Sequence, residues 1–346
     1  MADYRFKEEK KVSISRPLLL TLLAGALALG IFIGAGMGML APLSGTKGEA
    51  APESAEGTFK FIRASLESKN VERNQKNKEL KPFRYKVNAI IEEGLKRGDA
   101  SAISFYFRDL INGNRFGIGD TDKFSPKSLL KLPLMIAYFK WSEVNPLVLR
   151  KTLTYTGREI ETGQKIKPAY TLDPGRRYTV NDLIYRMIAY DDPAAYSLLN
   201  ANMPSNRLER IFKDLNVEYD PHQEDDLLSL SAFASFYRIL YNASYLPEDL
   251  SEKALRYLSK STFRDGMASG IPLNVEIASK HGERTIEVLK DGKEMKLYQY
   301  HEFGIIYNPN RPFLIGIMAR GSDIDRLTKV TRDITRLVYE EVDQQF

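Results

Sequence analysis

The sequence predicts an α/β protein of the α+β kind: an antiparallel sheet flanked by helices, with an all-α lobe, preceded by one apolar N-terminal helix. Three observations carry this. Strand patterns gather at the two ends of the globular part, Ala102–Phe107 with Arg115–Gly119 near its start and Gly304–Tyr307 with Phe313–Ala319 near its end. Between those ends the apolar residues recur mostly at helical spacing. Residues 17–43 contain no charge at all.

That uncharged run is long enough to cross a bilayer as a helix, which takes roughly 20 residues. Arg5, Lys7, Lys10, Lys11 and Arg16 precede it, so the positive-inside rule leaves residues 1–16 in the cytoplasm and everything after residue 43 outside. The reading is an uncleaved single-pass anchor. A cleaved signal peptide is the alternative, although its apolar core usually spans about 7–15 residues. Gly30, Gly34 and Gly38 repeat at four-residue spacing, which suits a dimer of such helices as well as it suits the general abundance of glycine in membrane spans. Residues 44–85 read as an extracytoplasmic linker: a small, polar tether to Gly57, then a juxtamembrane helix built on Phe59, Phe61, Ile62 and Leu66, then a loop.

Composition narrows the chemistry. The 346 residues are 43% hydrophobic and 27% charged, as in a globular chain, and Lys+Arg 50 nearly balance Asp+Glu 45, so nothing points to nucleic acid. The absence of cysteine excludes thiol catalysis, disulfides and cysteine-based zinc sites. His222, His281 and His301 lie far apart without ligand spacing, so no metal or other cofactor is expected.

From residue 86 onward the chain reads as one domain to residue 346. Val87, Ile90, Ile91 and Leu95 form an amphipathic helix that breaks at Gly98. A hairpin turning at Asn112-Gly113-Asn114 follows, and then a helix from Leu129 to Ala137 that is apolar except for Lys131. Residues 151–178 are a Gly/Pro-punctuated excursion. Helices follow at residues 180–190, around Ala195–Leu199, at 204–217, 227–245 and 251–258. The strands near the C-terminus complete the sheet, and Ile324, Leu327, Val330, Ile334, Leu337 and Val338 mark an amphipathic helix closing the domain.

The chemistry centres on Ser128, three residues before Lys131, where the apolar helix begins. Side chains at this spacing share one helix face, which places a hydroxyl beside an ammonium. A serine hydroxyl needs a base to become a nucleophile, and a lysine in an apolar pocket beside another cation can lose its proton near neutrality. The first turn also offers backbone N–H groups and the positive helix end to a developing oxyanion.

With this S-x-x-K motif and the order helix, hairpin, nucleophile helix, the segment from Lys86 to the C-terminus resembles the penicillin-recognising serine hydrolases, and in particular the class A β-lactamases, whose signature is S-x-x-K, S-D-N and K-T-G. The resemblance implies a β-lactamase/transpeptidase-like fold with the site in the cleft between sheet and helical lobe. It implies Ser128 as nucleophile, Lys131 as base, and Lys280-His281-Gly282 as the third motif on an edge strand. Lys280 would supply charge for a substrate carboxylate, Gly282 would let the substrate backbone lie close, and the N–H groups of Ser128 and Glu283 would form the oxyanion hole. His281 replaces a hydroxyl residue and is expected to be either a ligand contact or a surface residue.

The second motif departs from the pattern. Asp191 falls on its serine, Asp192 on its aspartate and Pro193 on its asparagine. Asp191 can shuttle protons, but an ionised carboxylate there can also tie up Lys131 and Lys280 as an ion pair. The loop that in class A enzymes carries the water-activating glutamate is short here, with Glu218 and Glu224 its available glutamates.

Two readings follow. One is a membrane-anchored, extracytoplasmic bacterial serine hydrolase that forms an acyl-enzyme on Ser128 with β-lactams or D-Ala-D-Ala-type peptidoglycan peptides and deacylates slowly, with a place in cell-envelope chemistry or antibiotic resistance. The other is a catalytically degenerate protein of the same fold that binds wall fragments or an envelope partner. An unrelated amidase or signal-peptidase-like enzyme fits the motif order less well.

Overall fold

The computed structural model describes residues 59–63, 81, 83–157, 164–219, 227–290 and 293–346. The expected cytoplasmic segment, anchor, glycine stripe and tether lie outside these residues. Among the described residues no helix is long and apolar enough to cross a membrane.

A five-stranded antiparallel sheet runs through the domain. In chain order its strands are β1 (Ala102–Asp109), β2 (Arg115–Ile118), β7 (Glu276–Lys290), β8 (Lys293–Tyr307) and β9 (Phe313–Gly321), arranged β2-β1-β9-β8-β7 across the sheet. Both faces are covered, so the strands read as continuous apolar runs rather than as alternating ones. On one face Phe105, Phe107, Ile277, Ile315 and Ile317 pack against α1 (Arg84–Lys96) and the closing helix α8 (Ile324–Gln344). On the other face Tyr106, Ala278, Phe303, Ile305 and Leu314 meet the helical lobe. Gly316 leaves room for the ring of Phe303, where a Cβ would come within 2.3 Å of the ring.

The lobe is built on α2 (Lys131–Val144), with every residue from Lys131 to Phe139 buried. A helix apolar all round belongs in the middle of a bundle, and α3 (Val180–Ala189), α4 (Pro193–Ala201), α5 (Ser205–Asp214), α6 (Leu230–Tyr241) and α7 (Glu248–Ser259) contribute to the same core. Pro133 sits in the first turn of α2, where its missing N–H has no intrahelical partner to lose. Short pairs complete the lobe: β3 (Lys123–Phe124) with β6 (Leu228–Ser229), and β4 (Thr152–Thr154) with β5 (Arg177–Thr179).

Two local expectations change. Residues 59–63 carry no helical turn. The N–H groups of Lys60, Phe61 and Ile62 donate to the carboxylate of Glu252, at 3.1, 2.7 and 3.2 Å, and Tyr307 Oη donates to the Phe61 carbonyl. With its amides taken by a buried glutamate, this stretch docks on the domain instead of coiling. The third-motif strand also runs to Lys290 and returns from Lys293 as a long hairpin.

Candidate active site

Ser128 lies in a 3₁₀ turn, Lys127–Leu130, that runs directly into α2. Residues three apart eclipse in a 3₁₀ helix, so Ser128 and Lys131 stand on the same side of the chain. Lys127 has a φ of +37°, a left-handed conformation that non-glycine residues seldom adopt, and it stands immediately before the serine. The edge strand β7 presses against this turn. A Cβ on Gly282 would stand 3.0 Å from the Leu129 nitrogen, so glycine is what permits the approach.

Asp191 occupies the turn between α3 and α4 with a φ of +58°, and the N–H groups of Tyr190 and Asp192 both return to the Arg186 carbonyl. The turn aims the Asp191 carboxylate between the two lysines. Lys131 Nζ donates to Asp191 Oδ1 at 2.5 Å and to the Asp191 carbonyl at 2.9 Å. Lys280 Nζ donates to the same Oδ1 at 2.6 Å and to the His281 carbonyl at 2.7 Å. Burial opposes a charge on Asp191, but the ammonium groups of Lys280 and Lys131 outweigh it and hold the carboxyl well below its usual range. Burial pushes Lys280 down to about 8, against the pull of Asp191.

His281 is buried, not a surface residue: its ring packs on Phe263 at 4.2 Å and its Nε2 lies 3.4 Å from Asp191 Oδ2. Burial, and then the neighbouring Lys280 charge, lower its pKa, so the ring is neutral at pH 7. Glu283 is buried as well, and burial raises its carboxyl to about 7 even though the Ile166 N–H donates to its Oε1 at 2.7 Å.

Asp192 has a different surrounding from the one its motif position implied. It is fully buried and its Oδ1 accepts from the Ala194 and Ala195 N–H groups at 2.8 and 3.3 Å, so it caps α4, with Pro193 at the first helical position. Burial raises its carboxyl, with those two N–H groups opposing. Thus Ser128, Lys131, Asp191, Lys280, His281, Gly282 and Glu283 gather around the middle of β7, while Asp192 caps its own helix.

Two further residues belong to this neighbourhood. Gln164, from the excursion between β4 and β5, donates from Nε2 to Ser128 Oγ at 2.9 Å. Glu302, paired in register with His281 on β8, is buried, and its Oε2 accepts from Tyr300 Oη at 2.6 Å and from the Met267 N–H at 2.9 Å. Glu302 had no distinct sequence signal, since β8 also carries Lys293, Glu294, Lys296 and His301. Gln164 had none either. A cavity of about 480 Å³ opens beside the cluster, with Asp191 and His281 in its wall and Lys165, Lys167 and Arg264 around it. Among the described residues no group of three or more His, Asp or Glu is arranged to hold a metal ion.

The profile described as the beta-lactamase enzyme family (Beta-lactamase2) matches residues 82–342. No curated protein matches the chain. Solved structures do match. PBP-A superposes with a TM-score of 0.62 at 18% identity, covering 76% of this chain and 98% of its own. A β-lactamase from Xanthomonas campestris gives 0.61 at 16%, covering 74% and 97%. The reconstructed last common ancestor of Gram-negative class A β-lactamases gives 0.60 at 20%, covering 74% and 99%. At these identities the structures speak for the fold, and the profile speaks for descent: the chain belongs to the β-lactamase enzyme family.

Proposed function

We propose that this protein is a membrane-anchored, extracytoplasmic serine hydrolase that forms an acyl-enzyme on Ser128 with β-lactams or D-Ala-D-Ala-type stem peptides and releases the acyl group slowly. The observation that carries the reading is the convergence of Ser128, Lys131 and Lys280 beside the middle of β7. In the reaction Ser128 Oγ attacks the carbonyl carbon while its proton passes to the unprotonated amine of Lys131. The backbone N–H groups of Ser128 and Glu283 take the oxyanion. When the C–N bond breaks, the proton returns through Lys131 to the leaving nitrogen, and the ester remains on Ser128. Lys280 and the basic rim of the cavity attract the substrate carboxylate.

Slow release rests on the second half-reaction, which needs a base for water. The loop that carries this base in class A enzymes is short here, and neither of its glutamates, Glu218 and Glu224, is expected to serve; Glu218 is exposed. A variant of PBP-A is described as an acyl-enzyme complex with penicillin G, which supports acylation as the step that this fold retains. Following penicillin G consumption and the bound adduct together tests this. The expected result is an adduct that lasts for many minutes with near-stoichiometric drug loss; rapid catalytic consumption would overturn slow release.

One observation favours the second reading, a fold kept for binding. Lys131 Nζ is engaged by Asp191 in a buried ion pair, and an ammonium cannot accept the serine proton. Wall-fragment binding that survives Ser128→Ala, with no acylation of the wild type, would establish it.

A further inference from the structure

A second cavity, also about 480 Å³, lies on the helical lobe and is lined by Arg176, Arg177 and Tyr178 of the β5 segment, Asn181, Asp182, Tyr185 and Arg186 of α3, with Tyr190 and Tyr257. Three guanidinium groups and four phenol rings face one carboxylate. That carboxylate is engaged: Asp182 Oδ2 accepts from the Thr179 N–H at 3.3 Å in the capping box of α3. Asp173 pairs with Arg176 at 3.2 Å, and Arg177 donates to Thr152 Oγ1 at 2.6 Å. Arg186 forms no ion pair with a carboxylate among the described residues. Its guanidinium lies 5.0 Å from the ring centre of Tyr178 and 5.9 Å from that of Tyr190, and its charge also reaches buried Asp192. The rings fix the guanidinium in place and leave its N–H donors available for an oxyanion.

Tyr190 also lines the cavity beside Asp191, so one residue forms part of both walls. Tyr170, 60% exposed, packs on it at 4.7 Å and extends the aromatic surface. A ligand that passes over Tyr190 can therefore hold its reactive end near Ser128 and an anionic group among the arginines.

We propose that the Arg176–Arg177–Arg186 cavity is a second binding site, for an anionic sugar chain. Guanidinium forks bind its carboxylate or phosphate groups, and the tyrosine rings carry its sugar faces. The choice of a sugar chain rests on the acyl-transfer reading, since stem peptides hang from such a polymer, but binding here does not require Ser128.

The test is equilibrium binding by the full-length chain of three probes: wall glycan strands stripped of stem peptides (carboxylate source), a phosphate-linked wall polymer, and a neutral chitooligosaccharide. The proteins compared are wild type, Arg177→Gln/Arg186→Gln and Ser128→Ala, each checked for folding by its thermal midpoint. Wild type and Ser128→Ala are expected to bind an anionic probe with equal, salt-sensitive affinity, and the double variant about tenfold or more weaker at an unchanged midpoint. Whichever anionic probe binds identifies the source of the anion. Equal binding by the double variant, equal binding of the neutral oligosaccharide, or no binding of either anionic probe overturns the proposal. Failure of penicillin to label Ser128 while anionic binding persists would defeat the acyl-transfer reading and leave this site standing.

Discussion

The Lys131 ammonium and the Asp191 carboxylate meet at 2.5 Å inside the domain, and both side chains are almost wholly withdrawn from water. The same carboxylate oxygen receives Lys280 at 2.6 Å. One anion therefore compensates two buried cations, and removing it leaves like charges facing each other. Breaking a buried pair from one side costs about 3–5 kcal/mol. Asp191→Asn is expected to lower the thermal midpoint by on the order of 10 °C for a domain of this size. A shift of a degree or two would show that the lysines are not both charged around it.

Gln164 rests on the nucleophile. Its amide must leave Ser128 Oγ before a carbonyl carbon can approach, and that hydrogen bond contributes about 0.5–1.5 kcal/mol to the closed arrangement. Gln164→Ala is therefore expected to raise the rate of penicillin acylation by roughly two- to tenfold. A fall in that rate would mean that Gln164 holds the substrate rather than covers the serine.

Glu283 links pH to stability. Its carboxyl ionises at about 7 in the folded protein, compared with an ordinary value of 4.5. Between those two values the folded chain keeps a proton that the unfolded chain has released, so stability from this group is full below pH 4.5 and is lost as pH rises toward 7. Glu283→Gln removes the dependence while its amide oxygen can still accept from Ile166. Denaturant titrations at a series of pH values should show the variant gaining on the wild type across that window, by up to on the order of 3 kcal/mol. Parallel curves would contradict the assignment.

What the sequence disclosed was local, and what it concealed was long-range. Ser128 and Lys131 could be paired because a three-residue spacing is a geometric statement. The sandwich of Asp191 between Lys131 and Lys280 joins positions 60 and 89 residues apart, which no periodicity encodes; it was foreseeable only through the resemblance that aligned the three motifs. Asp192 was expected to bind substrate because it falls on the aspartate of the second motif; the proline after it was the mark of a helix start. His281 reads as exposed on an edge strand, but Phe263 covers it. The long β7–β8 hairpin carried its own signal, Asp291-Gly292 between Lys290 and Lys293. Gln164 sits in a stretch without any pattern, where nothing but the folded chain brings it to Ser128.

The most direct test of acyl transfer at Ser128 is intact-mass spectrometry of the full-length protein incubated with penicillin G, alongside Ser128→Ala. The account predicts a single adduct equal to the mass of one penicillin, carried on the peptide containing Ser128 and absent from the variant. An unmodified wild type at every drug concentration, or an adduct that survives Ser128→Ala, would contradict it.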